Sequence, residues 1–322
     1  LWIMENEYLV SVIMSTYNER EDWLRSSIES ILNQTWKNIE FVIVNDNPNN
    51  LMIGHILSEY VGKDKRIRLV QNKTNLGLAC SMNLAWKEAR GKYIARMDAD
   101  DISMEKRLED EMNYLLNNNL DMVASNRICI SEQGEIIGSL GIIPSGIGIE
   151  KLLPYGDMIV HPSVLMKREV LIKLDGYREL VPVEDYDLWL RMLTASYRIG
   201  ILNEPLIQYR IRENGISMTN RYRQFIMNKY AKILFKERKK YGGKDSFSEE
   251  NKNRYLSSKE NLRKKEHFAK AMKCFDEGVQ SWKCGKKSRG VGLMLRAISS
   301  DSSVAEKMFY ILLYKIKRQR FL

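Results

Sequence analysis

Short, almost wholly apolar runs alternate with amphipathic stretches through the first hundred residues of the chain. Leu9–Ser15 (LVSVIMS), Ile39–Asn45 (IEFVIVN), Ile67–Gln71 and Tyr93–Met97 are short and rich in β-branched residues, so they read as buried strands. Between them, residues 21–33, 51–60 and 78–89 read as helices, the first with Trp23, Ile28, Ile31 and Leu32 near one face. A helix over 104–118 follows. Alternation of strand and helix predicts a parallel, doubly wound α/β sheet. Further on, short strands flank a Gln133-Gly134 turn, and 145–157 reads as a loop. Ser163–Lys167, Ile199–Leu202 and Leu206–Arg210 read as strands, with helices over 168–174 and 185–195. After Thr219 helical periodicity takes over, at 221–241, 255–281 and 289–299.

Length and charge divide the chain further. At 322 residues it exceeds the usual single domain, and the prediction is an α/β domain over 1–219 and a helical region over 220–322. Residues 1–219 carry 24 Lys and Arg against 31 Asp and Glu, a net of −7, whereas residues 220–322 carry 27 against 10, a net of +17. Solvated helix faces account for many such charges; an anionic membrane surface is the partner expected for the rest. The apolar run Met308–Leu313, backed by Lys315, Lys317, Arg318 and Arg320, suits an interfacial helix. Base-reading features are absent there, so nucleic acid is not expected as a partner. The four cysteines and three histidines lack the spacing of a zinc site or disulfide framework. Neither a signal-peptide pattern nor a run of about 20 apolar residues is seen, so the expected location is cytoplasmic, peripheral at the inner face of the cell membrane.

In an open α/β sheet, ligands bind beyond the carboxyl ends of the strands. Those ends deliver Ser15-Thr16-Tyr17-Asn18-Glu19, Asn45-Asp46-Asn47, Asn75-Leu76-Gly77 and Asp98-Ala99-Asp100-Asp101. Tyr17-Asn18 and Asp46-Asn47-Pro48 also serve as a helix cap and a turn. The last group is different. A cap needs one acid, and three within four residues repel each other unless a cation sits among them. Mg²⁺ or Mn²⁺, which takes one or two carboxylates together with substrate phosphates, answers that problem.

VSVIMSTYNE, IEFVIVNDN, NLGLACSMN, ARMDADD and VEDYDLWLRM occur in this order within residues 8–215. Together they resemble the successive motifs of the family 2 glycosyltransferases with a GT-A fold, of the type that builds bacterial polysaccharides. The resemblance implies a Rossmann-like, mostly parallel sheet flanked by helices, followed here by the basic helical extension. It implies a nucleotide-sugar donor, UDP-linked in most members, and a saccharide or lipid-linked saccharide acceptor. Carried over residue by residue, Thr16, Tyr17 and Glu19 fall in the base-binding turn, and Asp46 matches the carboxylate that meets the base. Asn45 stands where relatives usually carry a second acid, and Met82 where an arginine is frequent. Asn75 and Gly77 match the loop under the nucleotide. Asp98 matches the ribose-side acid and Asp100 the metal ligand, with Asp101 adjoining.

Glu184-Asp185 resembles the family's ED motif, with Asp185 as the catalytic base; one base and one displacement imply inversion. Trp189, Arg191 and His161 are further candidates near the acceptor or diphosphate, Trp189 and Arg191 having core packing and pairing with an acid as their alternatives. Arg210 and Arg212, with Asn214-Gly215-Ile216-Ser217, resemble the closing loop. Two other readings are a non-catalytic nucleotide-sugar or glycan-binding module and a sugar nucleotidyltransferase. The second would want a glycine-rich basic loop where this chain has STYNERED.

Overall fold

The computed structural model describes residues 8–139, 141–212 and 220–321. The described residues form two compact units, one within 1–150 and 158–212, the other within 151–157 and 213–322.

In the first unit, β1 (Val10–Thr16), β2 (Ile39–Asn45), β3 (Ile67–Gln71) and β4 (Tyr93–Asp98) pair in parallel, β1 lying between β2 and β4. The connecting helices are α1 (Glu21–Leu32), α2 (Leu51–Lys63) and α3 (Leu78–Glu88). Every residue of β2 is buried, which is why its sequence is apolar without alternation. Val12, Met14, Phe41 and Ile43 join Leu24, Ile28, Ile31, Ile53 and Leu57 from the helices in one core cluster. Burial of each such side chain contributes about 1.5–3 kcal/mol.

The second half of this unit comprises β5 (Ile102–Ser103), α4 (Arg107–Asn117), β6 (Met122–Ile130), β7 (Ile136–Ser139), α5 (Ile147–Leu152), β8 (Val164–Lys167), α6 (Arg168–Leu174), α7 (Glu184–Thr194) and β9 (Ile199–Arg210). Strand order is β3-β2-β1-β4-β8-β6-β9-β5, with β7 paired to β6. β8 runs antiparallel to both β4 and β6, while β6 and β9 pair in parallel. The sheet is therefore parallel across its first four strands and mixed beyond them. Residues 145–157, expected as a loop, contain α5 and a 3₁₀ turn at Leu153–Tyr155, because Ile149, Leu152 and Leu153 are fully buried. The two closing strands are one, β9, whose register shifts opposite Ser125–Arg127 absorb Asn203-Glu204 and Leu206, leaving Pro205 opposite Asn126.

The second unit is helical: α8 (Arg221–Lys240), α9 (Glu249–Lys259), α10 (Leu262–Lys283), α11 (Lys287–Ser300) and α12 (Ser302–Arg318). The helix expected over 255–281 breaks at Glu260-Asn261, where the Asn261 side chain accepts from Lys264 N at 2.8 Å and caps α10. Phe225 stacks on Phe268 at 5.5 Å and Tyr230 on Tyr255 at 4.7 Å, tying α8 to α10 and α9. α10 and α11 meet at Gly278 and Gly290, where a Cβ on Gly290 would lie 2.7 Å from the Gly278 carbonyl oxygen. Among the described residues no helix is long and apolar enough to cross a membrane.

Candidate active site

Register decides what meets at the carboxyl edge of the sheet. Thr16 lies beside Asn45 and Ser15 beside Asp98, so β1, β2 and β4 end level with one another. Beyond β1 the chain turns around Glu19, whose Oε2 accepts from Thr16 Oγ1 at 2.6 Å and from Tyr17 N at 2.8 Å. This leaves the Tyr17 ring 46% exposed at the edge. Asn47 Nδ2 donates to the Tyr17 carbonyl at 2.9 Å, linking the ends of β1 and β2.

Asp46 is buried and organises the neighbouring loop. Its Oδ1 accepts from Asn72 Nδ2 at 2.7 Å and Leu76 N at 2.8 Å, and its Oδ2 from Gly77 N at 2.9 Å. Asn75 Oδ1 also accepts from Gly77 N at 2.9 Å. Gly77 has φ +81°, a conformation that glycine adopts without strain, and it turns the chain into α3. Thr16, Tyr17, Glu19, Asp46, Asn75 and Gly77 thus belong to one hydrogen-bonded rim. Met82, in place of an arginine, is fully buried in α3.

Beside this rim stand Asp98, Asp100 and Asp101, each with a carboxylate oxygen within 4.8 Å of the others. Arginines hold them. Asp98 is ion-paired with Arg96, and Asp100 Oδ2 with Arg212 Nε at 2.7 Å. Asp101 Oδ1 accepts from Arg210 N at 2.7 Å, and Arg210 Nε donates to the Asp100 carbonyl at 2.8 Å. Burial and the Asp98 charge push the Asp100 carboxyl up to about 7, against the pull of Arg212; burial and its two neighbours raise Asp101 well above the usual carboxylate range. Asp101 Oδ2 is buried and has no hydrogen-bond partner. Three hard oxygen donors, mutually repelling and one of them orphaned, fit a divalent cation. Residues 213–219, including Asn214-Gly215-Ile216-Ser217, lie outside the described residues.

The first turn of α7 supplies the other acids. Asp185 Oδ1 accepts from Tyr186 N at 2.7 Å, and its Oδ2 lies 3.7 Å from His161 Nδ1. Burial raises Asp185 to about 6, and burial together with the Asp185 charge raises Glu184 to about 7. Burial, reinforced by Arg96, holds His161 well below the ordinary histidine range, so its ring is neutral; Nε2 lies 3.1 Å from the Tyr177 hydroxyl. Trp189 is fully buried, edge-on to His161 at 5.9 Å. Arg191 pairs with Asp187 at 2.8 Å and donates to the carbonyls of Leu174 and Gly176. The Arg191 bonds tie α7 to the end of α6 and the turn after it.

Sequence reasoning missed Arg96. It is 3% exposed within β4, its Nε has no hydrogen-bond partner, and its charge acts on Asp98, Asp101, Glu184, Asp185, His161 and Tyr177. The signal was present: a cation in the middle of the otherwise apolar run YIARM.

The chain matches the family description "Glycosyl transferase family 2" over residues 11–175 and belongs to that family. It is 36% identical over 209 residues to the O-antigen biosynthesis glycosyltransferase WbnJ of Escherichia coli, covering 64% of this chain and 81% of that one. It is 31% identical over 242 residues to UDP-Glc:alpha-D-GlcNAc-diphosphoundecaprenol beta-1,3-glucosyltransferase WfgD of Escherichia coli, covering 71% and 91%. The crystal structure of S. aureus TarS 1-349 in complex with UDP-GlcNAc shares the fold, with a TM-score of 0.58 at 16% identity over 96% of this chain and 90% of that one.

Proposed function

We propose that this protein is a metal-dependent, inverting glycosyltransferase that moves a sugar from a UDP-sugar to a hydroxyl of a lipid-linked saccharide, in the synthesis of a bacterial surface polysaccharide such as O-antigen or capsule. The observation that carries the reading is the carboxylate cluster Asp98, Asp100 and Asp101 at the carboxyl edge of the sheet, beside a turn bearing an exposed Tyr17. The names of WbnJ, WfgD and the TarS complex support the polysaccharide, the lipid-linked acceptor and the UDP-sugar.

In this reading Tyr17 stacks on the base, an interaction of about 1–3 kcal/mol, within the turn held by Thr16 and Glu19. Asp46 accepts a base N–H at Oδ2 while its other bonds hold the Asn75–Gly77 loop under the nucleotide. Asp98 faces the ribose, and Asp100, with Asp101 adjoining, holds Mn²⁺ or Mg²⁺. A divalent ion there supplies Lewis-acid neutralisation of the departing diphosphate. Arg212 exchanges part of its pairing with the Asp100 carboxylate, and the Arg210 guanidinium its bond to the Asp100 carbonyl, for the phosphates. Asp185 takes the acceptor hydroxyl proton at Oδ2, since Oδ1 is occupied by Tyr186 N. The acceptor oxygen bonds to the anomeric carbon as the carbon–phosphate-oxygen bond breaks, and UDP leaves. A single displacement inverts that carbon. His161, neutral against Asp185, orients the base and the acceptor.

A screen of nucleotide-sugars for metal-dependent binding and transfer tests this, followed by linkage analysis of the product. Asp100→Asn is expected to abolish Mn²⁺-dependent donor binding and transfer together. Asp185→Asn is expected to leave donor binding near normal while transfer falls by at least about a hundredfold, the contribution of a general base. Full turnover in Asp185→Asn would overturn the base assignment.

A further inference from the structure

The second unit contains a pocket of about 310 Å³ that the family motifs do not reach. It is formed within that unit by α8, α12 and residues 155–157. Three lysines enter it, Lys229 and Lys232 from α8 and Lys307 from α12. Lys229 is neutralised by Glu306 at 2.7 Å. Lys232 instead donates to the Tyr155 carbonyl at 2.7 Å and sits 4.2 Å above the Tyr310 ring, and Lys307 lies 5.8 Å from the Phe268 ring. Among the described residues neither forms an ion pair, and Glu306 and Asp276 act on Lys232 and Lys307 only at longer range. Burial pushes Lys232 down to about 8 and lowers Lys307 as well. Asp157 also lines the pocket, so three lysines stand against Asp157 and the Glu306 that pairs with Lys229. The excess is positive, and an anion between Lys232 and Lys307 would offset it.

The rest of the wall narrows the anion's chemistry. Asn228 and Gln224 add neutral donors at the same helix face, and Phe225, Ile311 and Tyr314 supply apolar surface. Adjacent on α12, Phe309, Leu312 and Ile316 are exposed at helical spacing. Ammonium groups and amides beside an apolar wall match a phosphate attached to a hydrophobic body.

We propose that this pocket binds the phosphate head of an amphiphilic phosphate ester, with Lys232 and Lys307 as its charge partners and α12 as the rest for its apolar part. The inference rests on the reading above in one respect: a lipid-linked acceptor carries such a head, and the pocket would hold a lipid phosphate near the enzyme. The site stands on its own geometry, and binding is measured without any sugar donor.

The test compares the full chain with Lys232→Gln/Lys307→Gln and with Lys239→Gln/Lys240→Gln, a control that removes the same charge from exposed positions of α8. Vesicles of phosphatidylcholine with about one-fifth phosphatidic acid are the lipid probe, and glycerol 3-phosphate and inorganic phosphate are the soluble probes. Expected is a drop of about tenfold or more in vesicle affinity for the pocket pair and less than about threefold for the control. In the wild type, the Lys232 ammonium signal of the ¹³C-methylated protein is expected to titrate at higher pH when ligand is bound. Soluble phosphates shifting that signal while vesicles do not would overturn the amphiphile and leave a soluble phosphate ester as the ligand. Equal losses in both pairs, or no shift with any probe, would overturn the site. Lys232→Arg, which keeps charge and bulk, is expected to restore binding and separates loss of the pocket from loss of fold. UDP-sugar binding, followed in the same preparations, stays unchanged in the pocket variants, so failure of either proposal is read separately.

Discussion

Asp185 stands under two opposing influences. Burial raises its pKa, while Tyr186 N and the Arg96 charge lower it, and the result is about 6. The neighbouring Glu184 carboxyl, pushed up to about 7, makes the two titrate as a pair. A base must be ionised to accept a proton, so kcat/KM is expected to fall as pH drops through this range and to level off above it. Arg96 is the test of that origin. Removing its charge takes away a term that favours the ionised carboxylate, so Arg96→Met is expected to move the acid limb upward by about one unit or more. A pH–rate profile with an unmoved limb would sink the assignment. The placement of Asp98, Asp100, Asp46 and Tyr17 at one edge of the sheet is legible in the sequence because acids and an aromatic ring at strand ends are locally unusual. Arg96 is not legible in the same way, since one cation in a strand is ambiguous until its neighbours in space are known. The burial of Trp189 and the bonds of Arg191 to Asp187, Leu174 and Gly176 are visible only in the folded chain.

Among the elements, the first four strands and their helices were readable because each is short, apolar and bounded by turn residues. β9 does not read as one strand in the sequence, since Glu204-Pro205 looks like a break and only pairing with β6 carries the chain past it. The α10–α11 hairpin supplies a prediction of its own. A Cβ on Gly278 would lie 2.9 Å from the Gly290 carbonyl oxygen, and one on Gly290 would lie 2.8 Å from Trp282 N, all backbone atoms that cannot step aside. Gly290→Ala is therefore expected to lower stability by roughly 1–3 kcal/mol. Gly292 on the same helix has open space around its Cβ position, so Gly292→Ala is expected to raise stability by up to about 1 kcal/mol through helix propensity. Thermal unfolding of the two variants checks this; shifts of the same sign would refute the close packing.

Across the whole molecule the charge is uneven, with a net of +17 after residue 219 and −7 before it. Attraction of exposed basic residues to an anionic bilayer is screened over about 10 Å at 0.1 M salt, whereas partly buried pairs are screened less. Binding of the protein to anionic vesicles is expected to weaken severalfold from about 0.05 M to about 0.5 M salt. The difference between wild type and Lys232→Gln/Lys307→Gln is expected to persist at the higher salt. Sedimentation with vesicles across that range measures both. Binding that ignores salt would remove the electrostatic account of the basic helices.

The sequence by itself determined the α/β alternation, the family and the identity of the acids at the strand ends. All three depend on residues close together in the chain, where spacing and residue type carry the signal. Tertiary structure alone decided that the Arg96 charge acts on Glu184 and Asp185, that Arg210 and Arg212 return to Asp100 and Asp101, and that Lys232 and Lys307 share one pocket. Those pairs are far apart in sequence, and only the packing of the elements brings their charges together.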